Sequence, residues 1–231
     1  MATLVLSCDH AVCAVPEWYR DRFRDSEETL TSHRGWDPGA LNLAQAFAIK
    51  TRTPLAHGEV TRLLIDLNRS PDNPERFSEF AAGLSDDQRH KLHERYYVSY
   101  HDLLVERIQS GLKISPPVLH LSVHTFTRTL EGKRRTTDVG ILFDPARPAE
   151  AAFAARWLTA LRTAAADLRF DANAPYAGTA DGMTTRFRRQ FPDPAYLGIE
   201  LEVCQSFFLE GAPWRWDRAK KLLLETLPGH G

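Results

Sequence analysis

Strand and helix signals alternate along the whole 231-residue chain, which predicts a layered α/β domain. Three observations carry this. Short apolar runs of strand type, "TLVLSCDH" and "PPVLHLSVHTF" among them, end at polar residues. Long segments between them repeat their apolar residues at helical spacing. No internal repeat, low-complexity tract or interdomain linker interrupts the order, so residues 1–231 read as one domain.

The first run ends at Asp9 and His10, and strands that stop this way deliver polar residues to the carboxyl edge of an α/β sheet, where ligands bind. "AVCAVPEWYR" follows as an irregular turn with Pro16 at a helix start. In "HRGWDPGALNLAQAFAIKT" Asp37 can act as N-cap and Pro38 suits the first helical position, with Leu41, Leu43, Ala44 and Phe47 as the apolar face. "VTRLLIDL" is a buried segment leading into the turn Asn68-Arg69-Ser70-Pro71, which Asp66 and Asn68 can organise. From Ser85, a plausible cap, a helical period runs through Leu92, Tyr96, Tyr97, Tyr100, Leu103, Leu104 and Ile108 to Gly111 as its stop. "PPVLHLSVHTF" and "TDVGILFD" are strands, and "PAEAAFAARWLTALRTA" is an alanine-rich amphipathic helix. A loop at Asn173 to Gly178, a strand at "YLGIELEVCQSFF" and a closing helix at "APWRWDRAKKLLLETL" complete the chain.

Composition restricts function. With 43% hydrophobic residues and 12 Phe, the chain can bury a substantial core, so disorder is not expected. Twenty-nine Lys and Arg against 30 Asp and Glu leave a formal charge of -1 and no net field to gather nucleic acid or anionic membrane. Cys8, Cys13 and Cys204 are an odd number without CxxC spacing, and no cationic-apolar leader precedes the first strand, so a reduced, cytoplasmic protein is expected. No apolar run is long enough to cross a bilayer. The phosphate-loop, dinucleotide, HExxH, GxSxG and paired CxxC motifs are all missing.

The candidates for chemistry lie at strand ends. Leu119, Leu121 and Val123 alternate with His120, Ser122 and His124, which share the opposite face. His120 reads as a structural residue, whereas His124 sits at the strand-loop transition, as His10 does. Two imidazoles and a carboxylate would supply three ligands of a catalytic zinc ion; His10 is equally explained as part of a loop or cap, and Asp37 as an N-cap. Cys8 reads as a small buried hydrophobe, and His33 is a reserve candidate. Glu200 and Glu202 share one face of the last strand, either exposed to solvent or turned into a cavity where one could act as a base. Arg62, Arg69, Arg134 and Arg135 are candidates for holding a carboxylate through a guanidinium fork.

The motifs "SCDHA", "HRGWDPGALNLA", "TRLLIDLNRSP", "VHTFTRTLEGKRRTTDVGILFD", "DANAPYAG" and "IELEVCQSFF", in this order over nearly the full length, resemble those of the N-formylglutamate amidohydrolase family. The resemblance implies a three-layer αβα fold with a mixed central sheet, like the zinc-carboxypeptidase and phosphorylase/hydrolase architecture. It implies a zinc-dependent enzyme that cleaves N-formyl-L-glutamate to L-glutamate and formate. On this likeness His10 and His124 are zinc ligands, Asp37 is the third ligand or its orienter, and Glu202 is the water-activating base, with Glu200 beside it. Arg69 and Arg135 are the substrate-carboxylate candidates, and Asn173 and Tyr176 border the pocket. The implied partner is a small carboxylate-bearing N-acyl amino acid. Hydrolysis of another N-acyl amino acid, or small-anion binding without catalysis, stays open as an alternative. The segment "HTFTRTLEGKRR" departs from the family's usual form, with Arg128 where proline is common.

Overall fold

The computed structural model describes residues 2–210 and 213–229. A six-stranded sheet with strand order β2-β1-β3-β8-β6-β7 forms its centre. Its strands are β1 (Thr3–Cys8), β2 (Leu55–His57), β3 (Val118–Phe126), β6 (Val139–Leu142), β7 (Phe170–Ala172) and β8 (Tyr196–Cys204). Strands β2, β1, β3 and β8 run parallel; β6 is antiparallel to β8, and β7 follows β6 in parallel. The sheet is therefore mixed, as expected. A separate hairpin, β4 (Thr129–Leu130) and β5 (Lys133–Arg134), rises from the loop after β3. Its turn is Glu131-Gly132, both at positive φ, the backbone that a tight hairpin turn requires.

Side chains alternate across the sheet, and the alternation sorts the molecule into layers. Leu4 and Leu6 of β1, Leu119, Leu121 and Val123 of β3, and Leu197, Ile199, Leu201 and Val203 of β8 share one core. Against it pack α2 (Ala40–Thr51), α5 (Pro148–Ala164) and α8 (Pro213–Thr226). On the opposite face Val5, Val118 and Tyr196 join a second core with α3 (Asp86–Leu92), α4 (Ser99–Ile114) and α6 (Met183–Gln190). The short helices α1 (Glu27–Thr31) and α7 (Ser206–Leu209) complete the set. The first core is continuous and apolar. The second stops short of the carboxyl end of the sheet, where the same face carries Ser7, Ser122, His124, Glu200 and Glu202.

Several boundaries differ from the sequence expectation. Helix α2 begins at Ala40, and Gly39, not Asp37, is its N-cap, at φ 90° with no capping side chain. The glycine turns the chain left-handed before the helix and leaves the Asp37 carboxylate free to point elsewhere. The helical region after Ser85 does open with a capping box formed with Gln88, but it is broken by a π-helical turn at His93–Val98 and runs on to Ile114. Gly111 is thus a packing position rather than a stop, since a Cβ there would lie 2.8 Å from Val118 Cγ2 and 2.9 Å from Thr3 Cγ2. The last strand ends at Cys204, and its "QSFF" continuation turns into α7. The closing helix starts at Pro213; Ala212, the first residue of the stretch expected to form it, lies outside the described residues. Among the described residues, no helix is long and apolar enough to cross a membrane.

Filling the gap between α4 and the β1–β3 pair forces those elements apart. The Gly111→Val protein is expected to be less stable by about 1–3 kcal/mol, measured by denaturant unfolding; unchanged stability would contradict this packing.

Candidate active site

Parallel β1, β3 and β8 present their carboxyl ends at one edge of the sheet, so residues remote in sequence meet there. Strand β1 runs out into Asp9 and His10. In β3 and β8 the register sets His124 opposite Glu202 and Ser122 opposite Glu200. Asp37 comes from the loop before α2, and that loop is pinned from three directions. The Asp37 N–H donates to the His10 carbonyl (2.9 Å), Thr125 Oγ1 to the Pro38 carbonyl (2.9 Å) and Thr61 Oγ1 to the Gly35 carbonyl (2.8 Å).

The result is a buried cluster. Asp37 Oδ2 lies 3.3 Å from His10 Nδ1 and 3.0 Å from His124 Nδ1. One ligand atom from each of His10, Asp37 and His124 falls within 4.8 Å of the others, a set that can hold a metal ion. Two imidazole nitrogens and a carboxylate oxygen are a donor set suited to zinc, with a fourth position left open. The far side of each ring meets another carboxylate. His10 Nε2 is 2.7 Å from Asp66 Oδ1, while His124 Nε2 is 3.0 Å from Ser122 Oγ and 3.5 Å from Asp9 Oδ2. Arg62 binds Asp66 Oδ2 through Nε (3.1 Å) and Nη2 (2.7 Å) and reaches Asp37 Oδ1 at 3.6 Å.

Burial and charge compete at each group. Burial opposes charge on His124, but its hydrogen bond to Asp37 and the carboxylates of Asp9, Asp37 and Glu202 carry its pKa up to about 10. Asp37 is held well below the usual carboxylate range by the two imidazoles, despite burial. Asp66 is likewise lowered by Arg62 and His10. Glu202 goes the other way: burial pushes its carboxyl up to about 8, against the opposing charge of His124. Its Oε2 is buried without a hydrogen-bond partner, as is Asp9 Oδ2. Buried polar atoms seldom go unpaired, so these two mark places where the cluster has unused capacity beside the three candidate ligands.

A cavity of about 220 Å³ opens over the cluster. Of the residues singled out in the sequence, His10, His33, Asp37, Arg62, Arg69, His124, Tyr176, Glu200 and Glu202 line it. Arg135 is not among the lining residues; its guanidinium lies 4.7 Å from the centre of the ring of Tyr176, which is. Asn173 does not line the cavity; its Oδ1 accepts from the Phe143 and Gly178 N–H groups and so shapes the loop that carries Tyr176. Arg134 is exposed on the hairpin, and Arg128 braces that hairpin by binding Asp138 Oδ1 (2.5 Å) and the Thr137 carbonyl (2.8 Å). Cys8 is fully buried in the apolar core. Glu200 accepts a hydrogen bond from Thr184 Oγ1. The sequence reading gave Asp66 only the task of organising a turn. Its Oδ1 does accept from the Asn68 N–H (2.9 Å), but the same carboxylate also holds His10. The available signal was an aspartate inside an otherwise apolar buried run.

Comparisons with known proteins identify the family and the fold. A protein-family model described as N-formylglutamate amidohydrolase matches residues 2–209. Among solved structures, a gene product of Agrobacterium tumefaciens superposes with a TM-score of 0.80 at 25% identity, covering 98% of this chain and 90% of its own. An N-formylglutamate amidohydrolase from Ralstonia eutropha superposes with a TM-score of 0.70 at 18% identity, covering 100% of this chain and 94% of its own, a likeness of fold. No curated protein matches the chain.

His120, on the same face of β3, is a structural residue, as its place in the strand suggested. Its ring binds Ser7 Oγ (2.9 Å) and the Tyr196 hydroxyl (2.7 Å), and burial drives its pKa down to about 3. Because that lies below the unfolded value of 6.5, the unfolded chain binds more protons as pH falls. His120 therefore contributes stability that is present above pH 6.5 and lost as pH falls toward 3. The His120→Gln protein should show a shallower loss of unfolding free energy between pH 6.5 and 4 than the parent, by about one proton's worth of slope. An identical slope would contradict a neutral, buried His120.

Proposed function

Because the chain belongs to the N-formylglutamate amidohydrolase family, we propose that it hydrolyses the amide bond of N-formyl-L-glutamate to L-glutamate and formate, with a zinc ion held by His10, Asp37 and His124. The observation that carries this reading is the convergence of His10 Nδ1, Asp37 Oδ2 and His124 Nδ1 beside the unpartnered Oε2 of Glu202. Residues 1–231 act as a single catalytic domain, of zinc-carboxypeptidase-like type. Zinc in this position supplies Lewis acidity, polarising a carbonyl and making nearby water more acidic.

The remaining work falls to the chain's own side chains. Glu202 takes a proton from the attacking water at its Oε2 while the water oxygen bonds to the formyl carbon. It then returns that proton to the amide nitrogen as the C–N bond breaks, releasing formate and the free amino group of glutamate. Its raised pKa suits it to the second step, and a cation held beside it would favour the ionised form that the first step needs.

Arg69, which lines the cavity from the turn after the buried "LLIDL" run, and Arg135, stacked on the cavity residue Tyr176, pair with the two carboxylates of the glutamyl group. Asn173 contributes through the loop it holds rather than by touching substrate. Thr125 and Phe126 wall the cavity on the β3 side. We read the reaction as a cytoplasmic step of amino-acid metabolism. The three cysteines, all free, support a reducing compartment.

The test is direct. Purified protein with added zinc is expected to release formate from N-formyl-L-glutamate and to leave the N-acetyl and N-succinyl forms of glutamate and aspartate intact. The Glu202→Gln protein is expected to fold and take up zinc but to turn over about 10²–10⁴-fold more slowly. Full turnover by a folded, zinc-loaded Glu202→Gln protein would contradict the base assignment, and formate-free substrate loss would contradict the choice of substrate.

A further inference from the structure

The two imidazoles of the cluster are arranged alike, although they come from different strands and share no local sequence pattern. Each turns Nδ1 toward Asp37 Oδ2 and Nε2 toward a carboxylate that is outside the candidate ligand set. For His10 that carboxylate is Asp66, with Oδ1 2.7 Å from Nε2. For His124 it is Asp9, with Oδ2 3.5 Å from Nε2, alongside the Ser122 hydroxyl at 3.0 Å.

Both outer carboxylates are themselves held. The Asn68 N–H donates to Asp66 Oδ1 and Arg62 grips Oδ2, so Asp66 cannot swing away from His10. The Tyr100 hydroxyl, from α4, donates to Asp9 Oδ1 at 2.6 Å. That bond fixes the rotation of the Asp9 carboxyl group and leaves Oδ2, which has no hydrogen-bond partner, facing His124. Asp9 is 1% exposed and Asp66 5%, so solvent does not account for either placement.

We propose that Asp66 and Asp9 are positioning residues that keep His10 and His124 turned with Nε2–H outward, so that both rings grip the cation through Nδ1. The inference rests on the metal reading above and extends it to the groups behind the ligands. An imidazole with one nitrogen committed to a fixed acceptor has one tautomer and one ring orientation, and the other nitrogen is more basic toward a cation. The pairs differ in strength: Asp66 contacts its imidazole at 2.7 Å and is locked by a guanidinium, whereas Asp9 shares His124 with Ser122.

Zinc affinity, measured by competition with a chromogenic chelator, is compared among the parent, Asp66→Asn and Asp9→Asn proteins. Losses of about 10- to 100-fold are expected for the variants, with the larger for Asp66→Asn. The ¹⁵N-edited spectrum of the zinc-loaded parent, which needs no substitution, is expected to show Nε2–H protonated and Nδ1 metal-bound on both rings. If the parent binds zinc but either ring is protonated at Nδ1, or if both variants bind zinc as tightly as the parent, the positioning inference is overturned and the metal reading stands. If the parent binds no zinc, both fall.

Discussion

A carboxylate placed between two imidazoles makes the rest of this molecule possible. His10 and His124 are 4% and 2% exposed, and rings so deeply buried lose their charged form unless something compensates it. Asp37 Oδ2, within 3.3 Å of both Nδ1 atoms, provides that compensation, and Asp66 and Asp9 repeat it on the outer side of each ring. Removing one partner from such an assembly leaves the others as uncompensated buried charges. The cluster is therefore both the candidate centre of chemistry and a fixed point of the fold, and the loop from Gly35 to Gly39 is shaped around it.

The sheet makes this arrangement reachable. One face of β1, β3 and β8 is apolar up to Thr125 at the end of β3 and binds α2, α5 and α8. The other face is apolar only toward the amino end and becomes polar toward the carboxyl end, through Ser7, Ser122, His124, Glu200 and Glu202. Parallel strands bring those residues to one edge, and the register puts His124 beside Glu202 without any contribution from loops. Antiparallel β6 sets the backbone of Gly140 opposite Glu202 on the other side, so the glutamate lies between two strands and is shielded from water. That shielding raises its pKa.

Much of this was legible in the sequence because it depends on period and strand ends. The alternation in "LHLSVH" separated His124 from the apolar face, and a strand ending in "CDH" pointed His10 to the same edge. Glu200 and Glu202 were legible as two carboxylates on one face of the last strand, but whether that face met solvent or a cavity was not, because only the packing of the sheet decides it. Asp37 was ambiguous, since aspartate before proline and a helix is the pattern of a cap; only the left-handed turn at Gly39 shows that the carboxylate turns toward the imidazoles instead. The short strands β2 and β7, three residues each, carry no period to detect. Helix α6 presents only Met183 and Phe187 as buried apolar residues in a basic stretch. Asp66 and Asp9 escaped a role at the cluster because their importance comes from what stands opposite in space, 56 and 115 positions away in the chain.

The central claim is that one cation sits among His10, Asp37 and His124. Anomalous diffraction at the zinc edge from crystals of the zinc-loaded protein tests it most directly. A single strong peak within bonding distance of His10 Nδ1, an Asp37 carboxylate oxygen and His124 Nδ1 is the predicted result. A peak elsewhere, or none at this cluster in crystals of protein that carries stoichiometric zinc, would contradict it.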